Sequence, residues 1–305
     1  MSGVAPYPRD LVGYGGKPPA WQLPAGAKVA VSMVVNFEEG AELSAGDGDP
    51  ASERLAEIVS IAPPGTWDQS TEQMFAYGMR AGVWRMLDWL ERHDRRITFY
   101  MCGRAVERLP AIARRIVEAG HEPACHGWLW RPHSDYTDEA SERRDLERCI
   151  VATLAASGHR PLGFFCRGSE SPWTRKILRD LGFAYASNGL DDDLPYWDRS
   201  DAARPLLVLP YAFDSNDMKF FHPNGFVNAD EMVAYVRDAL EVLVAEGEAG
   251  YPRMLNIGWH LRIAGRPGRF AAFKRILELL DSYGERVWVA RRIDIARSWQ
   301  EQFPA

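Results

Sequence analysis

The sequence predicts an α/β fold on a mainly parallel sheet, either a barrel or an open doubly wound sheet. Three observations lead there. Strand-like apolar runs and amphipathic helical runs alternate about seven times along the chain. The first run, Lys28 to Asn36, is continuously apolar in character, which suits a strand covered on both faces. A length of 305 residues is normal for one α/β barrel, so a single domain over 1–305 is expected. No internal repeat or linker divides the chain. No GxGxxG follows the first run, which disfavours a dinucleotide-binding fold.

Element by element, residues 1–27 are rich in Pro and Gly and read as an extended N-terminal arm lying on the surface. After the first strand, 41–77 is polar and irregular, with Gly46 to Pro50 and Pro63-Pro64-Gly65, and is expected to be a long lid-like loop. Then follow a helix over 80–92, a strand at 97–102, a helix over 105–119 closed by Gly120, and a strand at 123–126. A helix over 138–156 ends at Ser157-Gly158, and a strand at 163–167, a helix over 174–181 and a short strand at 184–187 succeed it. The strand at 206–213, the helix over 230–246, the strand at 254–260, the helix over 269–283, the strand at 287–290 and a helix after Ile293 complete the pattern.

Composition narrows the function. Hydrophobic residues make up 46% of the chain, enough for a large core. The formal net charge is −6 and no basic tail stands apart, which argues against a nucleic-acid partner. No apolar stretch approaches the roughly 18 residues of a membrane span, and Met1 to Trp21 lacks a secretory pattern. A cytoplasmic protein is expected. Cys102, Cys125, Cys149 and Cys166 form no CxxC pair and are expected to be buried, reduced thiols.

The polar residues that need explaining stand at the C-terminal ends of apolar strands. Asn36, Glu38 and Glu39 end the first, His126 the third, Arg167 the fourth, and His260 the run at 254–260. In an α/β barrel these ends converge on the face that holds the active site. Adjacent carboxylates raise one another's pKa, as a general base near neutral pH requires. Alone, Glu38 and Glu39 could be a solvated pair, His126 or His260 a satisfied strand-end histidine, and Arg167 with Glu170 a plain ion pair. Their joint placement favours a site. Asp191 to Trp197 and Phe213 to Met218 read either as site loops or as turns and caps. Arg262 and Arg266, in a Gly/Pro-rich segment, suit an anionic or carbonyl-rich substrate. A carboxylate and two histidines can hold zinc, but Trp130 stands four residues after His126, so such a site would need His260 or His133.

The set Asn36-Phe-Glu-Glu-Gly40, His126-Gly127, the Arg167 segment and Ile257-Gly-Trp-His260 resembles the polysaccharide deacetylase (NodB-like) superfamily. The resemblance implies a distorted (β/α)7 barrel. In that superfamily's Thr-Phe-Asp-Asp-Gly motif the first Asp is the base and the second holds a metal; Glu38 and Glu39 occupy those positions. Its His-Ser/Thr-x3-His motif matches at His126 only, with Trp130 in place of the second histidine. Tyr7 to Gly15, Asn36 to Gly40, Arg80 to Arg85, Asp191 to Trp197, Asn216 to Met218 and Gly265 to Pro267 resemble the cofactor-independent allantoinase branch. The chain departs from that branch at Cys166 to Trp173 and at Asn188 to Leu190, and carries large Trp128 and Trp259 beside the two histidines.

The resemblance implies hydrolysis of a C–N bond in a small cyclic amide, with allantoin as the first candidate and a cyclic imide as the nearest alternative. A metal-dependent carbohydrate N-deacetylase is a third reading. Glu38 is expected to take the water's proton with its pKa raised by Glu39, His260 to protonate the leaving nitrogen, and His126 or Arg167 to stabilise the oxyanion. Asn36, Trp128, Arg167, Glu170, Asp192, Trp259, Arg262 and Arg266 are the expected substrate-binding residues. No cofactor is expected; a divalent metal such as zinc, if used, would fall to Glu39, His126 and His260. The expected partner is a small-molecule substrate, with no nucleic acid and no membrane. The arm and the resemblance together point to a homo-oligomer, a tetramer being one form.

Overall fold

The computed structural model describes residues 9–55, 57–63 and 65–305. Tyr7 and Pro8 of the arm motif lie outside them, as do the other residues of 1–8. At the centre is β1 (Val29–Phe37), buried at all nine positions. One edge of β1 pairs in parallel with β8 (Arg253–His260) from Val29↔Arg253 to Asn36↔His260. The other edge takes β9 (Val287–Val289) at its start and β2 (Thr98–Met101) at its end, both parallel. The sheet continues through β3 (Glu122–Cys125), β4 (Gly163–Phe164), β5 (Tyr185–Ala186) and β7 (Leu206–Val208), and ends in antiparallel β6 (Tyr196–Asp198).

The strand order is 6-7-5-4-3-2-1-8, with β9 beside β1. Closure between the two ends is irregular. The chain beyond β7 crosses the gap, where Gly258 N–H donates to Ser215 O (3.2 Å) and Asn216 bridges Gly258. Gly258 permits this, since a Cβ there would lie 2.2 Å from Asn216 Nδ2. The result is the expected distorted barrel.

Strand parity sorts the two sides of the sheet. On β1, Val29, Val31, Met33, Val35 and Phe37 face outward into one apolar cluster with the helices α7 (Ala229–Glu248) and α9 (Pro267–Ser282). The alternate residues face the barrel interior. Ala30 packs with Trp21 and Met254 at the base, and Val34 with Tyr100, Phe165 and Tyr211 higher up. Between them the buried Arg292 guanidinium donates to Asn256 Oδ1 (2.7 Å) and Pro210 O (2.9 Å) and reaches Ser32. On β8 the same parity sends Leu255, Ile257 and Trp259 outward and Asn256, Gly258 and His260 inward.

Several boundaries differ from expectation. Residues 69–77 are not loop: α1 (Gln69–Tyr77) starts at Asp68, whose carboxylate caps Ser70 and Thr71, and runs through a π-turn at Gly78–Gly82 into α2 (Val83–Arg92). The stretch expected as one helix over 105–119 is α3 (Gly103–Arg108) and α4 (Pro110–Glu118), because Pro110 excludes helical geometry at Leu109. Further along the chain lie α5 (Glu139–Ser157) and α6 (Thr174–Asp180), and after β8 the short α8 (Leu261–Ala264) and then α10 (Arg292–Gln302). The arm packs inward by Trp21, edge-on to Trp299 at 5.2 Å, and Tyr14 donates to Pro195 O (2.5 Å). All four cysteines are free and buried. Among the described residues no helix is long and apolar enough to cross a membrane.

Candidate active site

The β1–β8 register sets Asn36 beside His260 at the C-terminal rim of the barrel. Glu38, one residue past β1, turns back toward them. Its Oε1 lies 3.1 Å from His126 Nε2 and 3.3 Å from His260 Nε2, and its Oε2 lies 2.5 Å from Arg262 Nη1. All four side chains are buried. His126 Nδ1 is 2.6 Å from Phe165 O, an acceptor only, so Nδ1 carries hydrogen and Nε2 is aimed at Glu38.

His260 is fixed from behind by Asp217. Its Nδ1 lies 2.6 Å from Asp217 Oδ1, and its backbone N–H donates to Oδ2 at 2.8 Å. Ala264 N–H also donates to Oδ2, at 3.1 Å, so the carboxylate cannot swing away. Asn36 Nδ2 stands 3.0 Å from His260 Nε2. A neutral imidazole accepts from that amide nitrogen, whereas an imidazolium there takes the amide oxygen instead.

Electrostatics separate the groups. Burial alone would push the Glu38 carboxyl up, but the charges of His260 and Arg262 and the histidine hydrogen bonds outweigh it and hold it well below the ordinary value. Burial alone would also lower His260, yet Glu38 and Asp217 raise it to about 9. Glu39 moves to about 7, driven by burial, only partly opposed by Arg262, with Glu38's like charge adding to the rise. The expectation that Glu39 raises Glu38 is therefore reversed. Glu38 is the ionised member because it has the cations, and Glu39 is the one pushed up.

Glu39 faces away from the cavity. Its Oε1 accepts from Arg262 N–H (2.9 Å) and its Oε2 from Glu38 N–H (3.1 Å). Gly78 makes room for it, since a Cβ there would sit 2.5 Å from Oε1, and Gly82 lets the π-turn pass against Leu261 in α8.

A cavity of about 610 Å³ opens above Glu38, His126, His260 and Asn36, walled by Trp130, Phe165 and Tyr211. Leu55, from the loop that follows β1, lines it, and the described residues of that loop are pinned by Arg104–Asp49 (2.8 Å), Arg108–Asp47 (2.7 Å) and Arg269–Glu57 (2.8 Å).

Of the residues expected to bind substrate, Asn36 and Arg167 line this cavity. Arg167 is already engaged, with Nη1 2.6 Å from Glu53 and its guanidinium 3.8 Å above the Trp130 ring. The others do not line it. Trp259 points outward by strand parity and packs on Phe273 at 5.1 Å. Trp128 lies on the helix side, against Gly103 and under the Arg148 guanidinium at 3.7 Å. Glu170 pairs with Arg175 at 2.9 Å, and Asp192 caps Leu194 N–H at 2.9 Å beside a separate cavity. Arg266 covers Tyr77 at 3.7 Å and neighbours Glu57 at 3.6 Å. Arg262 lies behind Glu38, against Phe75 (4.3 Å) and Trp130 (4.6 Å).

Asp217, Phe165 and Tyr211 belong to the site as well, though the sequence does not mark them. Asp217 stood within the loop singled out at 213–218, but nothing in its spacing tied it to His260. Phe165 and Tyr211 sat inside apolar strands, where an inward aromatic has no signature of its own.

The metal set that the resemblance implies does not fit this arrangement. Both Glu39 oxygens accept backbone N–H groups, His126 and His260 both turn Nε2 to Glu38, and Trp130 fills the second histidine's place. The Arg262 guanidinium, 2.5 Å from Glu38 and 3.8 Å from Glu39, puts positive charge beside the two carboxylates. Among the described residues, no three His, Cys, Asp or Glu side chains are grouped to hold a metal ion.

Comparison with known proteins agrees with the fold. The polysaccharide deacetylase family model matches residues 66–186. A Schizosaccharomyces pombe protein bearing a polysaccharide deacetylase name is 36% identical over 97% of this chain and 98% of its own. A Pseudomonas aeruginosa PAO1 structure of the same name superposes with TM-score 0.92 at 42% identity, covering 98% of this chain and all of that one. PuuE allantoinase also superposes at TM-score 0.92 and 42% identity, over 98% of this chain and 99% of that one. Near-complete coverage at this identity, on the same distorted barrel, leaves one assignment: the chain belongs to the polysaccharide deacetylase family of hydrolases.

Proposed function

We propose that this chain hydrolyses the C–N bond of a small cyclic amide. The observation that carries the reading is the buried series Asp217–His260–Glu38–His126 at the floor of the cavity, with a cationic side chain, not a ligand set, beside the two carboxylates. The likeness to PuuE allantoinase supports a ring amide.

The chemistry follows from the two displaced pKa values. At neutral pH Glu38 is a carboxylate and His260 an imidazolium, so the pair stands ready as base and acid. Glu38 takes a proton from the attacking water. His260, oriented by Asp217, gives one to the departing ring nitrogen. The two transfers help each other: once His260 has lost its charge, Glu38 holds its new proton more tightly. Asn36 is the polar group placed to receive the developing oxyanion, since Arg167 is held by Glu53 and both ring nitrogens of His126 are engaged, Nδ1 with Phe165 O and Nε2 with Glu38. A ring amide suits this set better than an unstrained acetamide, because carbonyl polarisation rests on hydrogen-bond donors.

The test is a panel of allantoin, hydantoin, succinimide and N-acetylglucosamine oligomers, each with and without chelator. The expected result is turnover of ring substrates that is indifferent to chelator and abolished in a folded Glu38→Gln variant. Turnover of the sugar oligomers alone, dependent on added divalent metal, would replace this reading with a metal-dependent N-deacetylase.

A further inference from the structure

We infer that the ring amide this site takes carries an apolar, preferably aromatic, substituent on a ring carbon. The inference rests on the cyclic-amide reading above and goes on to name the substrate class. The cavity divides into two chemically distinct parts. Its floor is polar and compact, formed by Glu38, His126, His260 and Asn36. Its upper walls carry its aromatic and aliphatic side chains.

The His126, Phe165 and Tyr211 rings form a nearly parallel series. His126 and Phe165 are 5.3 Å apart at 13°, and Phe165 and Tyr211 are 4.1 Å apart at 11°. Phe213 continues this wall, edge-on to Tyr211 at 5.6 Å, and Met218 and Phe221 line the same space. Leu55, from the loop that follows β1, lines it as well. Phe213 is 47% exposed and Leu55 39%, so two large apolar side chains of one cavity lie open for a ligand to cover.

Two of the charged groups of the upper wall are engaged elsewhere. Arg167 is held by Glu53 and stacked on Trp130, and Asp214 accepts from Tyr235 OH at 2.6 Å. Lys219 and His222 also border the cavity. Size points the same way. About 610 Å³ falls within the range of roughly 300–1,000 Å³ typical of sites for drug-sized ligands, so an unsubstituted five-membered ring would leave much of it to water. Allantoin's polar ureido arm would meet aromatic faces where it needs hydrogen-bond partners. A phenyl, benzyl or branched alkyl arm would stack on Tyr211 and cover Phe213 and Leu55.

The experiment compares kcat/KM for hydantoin, allantoin, 5-benzylhydantoin, succinimide and phenylsuccinimide. The benzyl and phenyl compounds are expected to exceed their parents, and 5-benzylhydantoin to exceed allantoin, by on the order of 10-fold or more, since each methylene-sized group in an apolar pocket discriminates by about 10–200-fold. Phe213→Ala should shrink the ratio of substituted to parent substrate, chiefly through KM. Turnover in which allantoin or the parent rings match the substituted compounds would overturn the inference alone, as would a ratio unmoved in Phe213→Ala. Absence of turnover across the panel would overturn the cyclic-amide reading and this inference with it.

Discussion

Replacing Arg262 by Gln tests whether its guanidinium is the charge that organises the two carboxylates. The side chain is buried, 2.5 Å from Glu38 and 3.8 Å from Glu39, and lies against the faces of Phe75 and Trp130. Removing one partner of a buried ion pair typically costs about 3–5 kcal/mol, because the other charge remains in a poorly solvated place. For a protein of this size that amounts to a fall in Tm on the order of 10 °C. The cost depends on pH, and its sign is fixed. With Arg262 present, Glu38 is held low, so its stabilising contribution is in place above the unfolded carboxyl value and is lost as pH falls through the folded one. Glu39, already raised to about 7, behaves oppositely: its contribution is present below the unfolded value and is lost as pH rises through 7. Without the guanidinium both groups move upward, and proton uptake relieves the strain at low pH only. Thermal unfolding of wild type and Arg262→Gln from pH 5 to 8, with far-UV circular dichroism as a check of fold, should show a gap that widens as pH rises. Arg262→Lys should narrow it in part, since an ammonium restores charge but not the planar stack. A gap that is independent of pH, or one that closes toward pH 8, would refute the reasoning.

Asp217→Asn should move the alkaline limb of the kcat/KM profile downward from about 9, because His260 keeps Glu38 but loses the second of the two carboxylates that hold it protonated. Turnover at pH 8 should fall by about 10²-fold or more, and a limb that stays in place would remove Asp217 from the acid's support. Trp259→Ala should destabilise the protein by about 3–5 kcal/mol in denaturant unfolding, as expected for an aromatic lost from an outward-facing core site on β8. Trp128→Ala, on the helix side of the sheet against Gly103 and Arg148, should leave kcat/KM of the folded enzyme unchanged; a loss confined to KM would put Trp128 at the substrate after all.

How much of this was legible in the sequence depends on what kind of relation placed each residue. Most strands were legible because burial on both faces leaves an unbroken apolar run, and their polar ends were legible because such a run cannot end in carboxylates or histidine without reason; the edge strand β6 (Tyr196–Asp198), short and only partly buried, read as loop instead. Trp259 was misplaced although its parity was available: if His260 faces inward, the residue before it must face the helices. Trp128 follows no such rule, since it lies in the turn after β3. Asp217 and Arg262 were harder. Asp217 meets His260 across 43 positions and Arg262 meets Glu38 across 224, and no periodicity connects residues that only sheet closure brings together. Arg262 read as a loop arginine for substrate because Gly265, Arg266 and Pro267 follow it. Its burial is decided elsewhere, by Gly78 and Gly82, which let the π-turn lie against α8 and Glu39. Trp130 could be seen to displace a histidine, but its use could not be seen without the fold. Its ring lies 4.6 Å from the Arg262 guanidinium and 3.8 Å from that of Arg167, giving a flat face to one cation behind the carboxylates and to another beside the cavity. Trp130 and the buried arginine therefore belong to one arrangement, of which the sequence displays only the tryptophan.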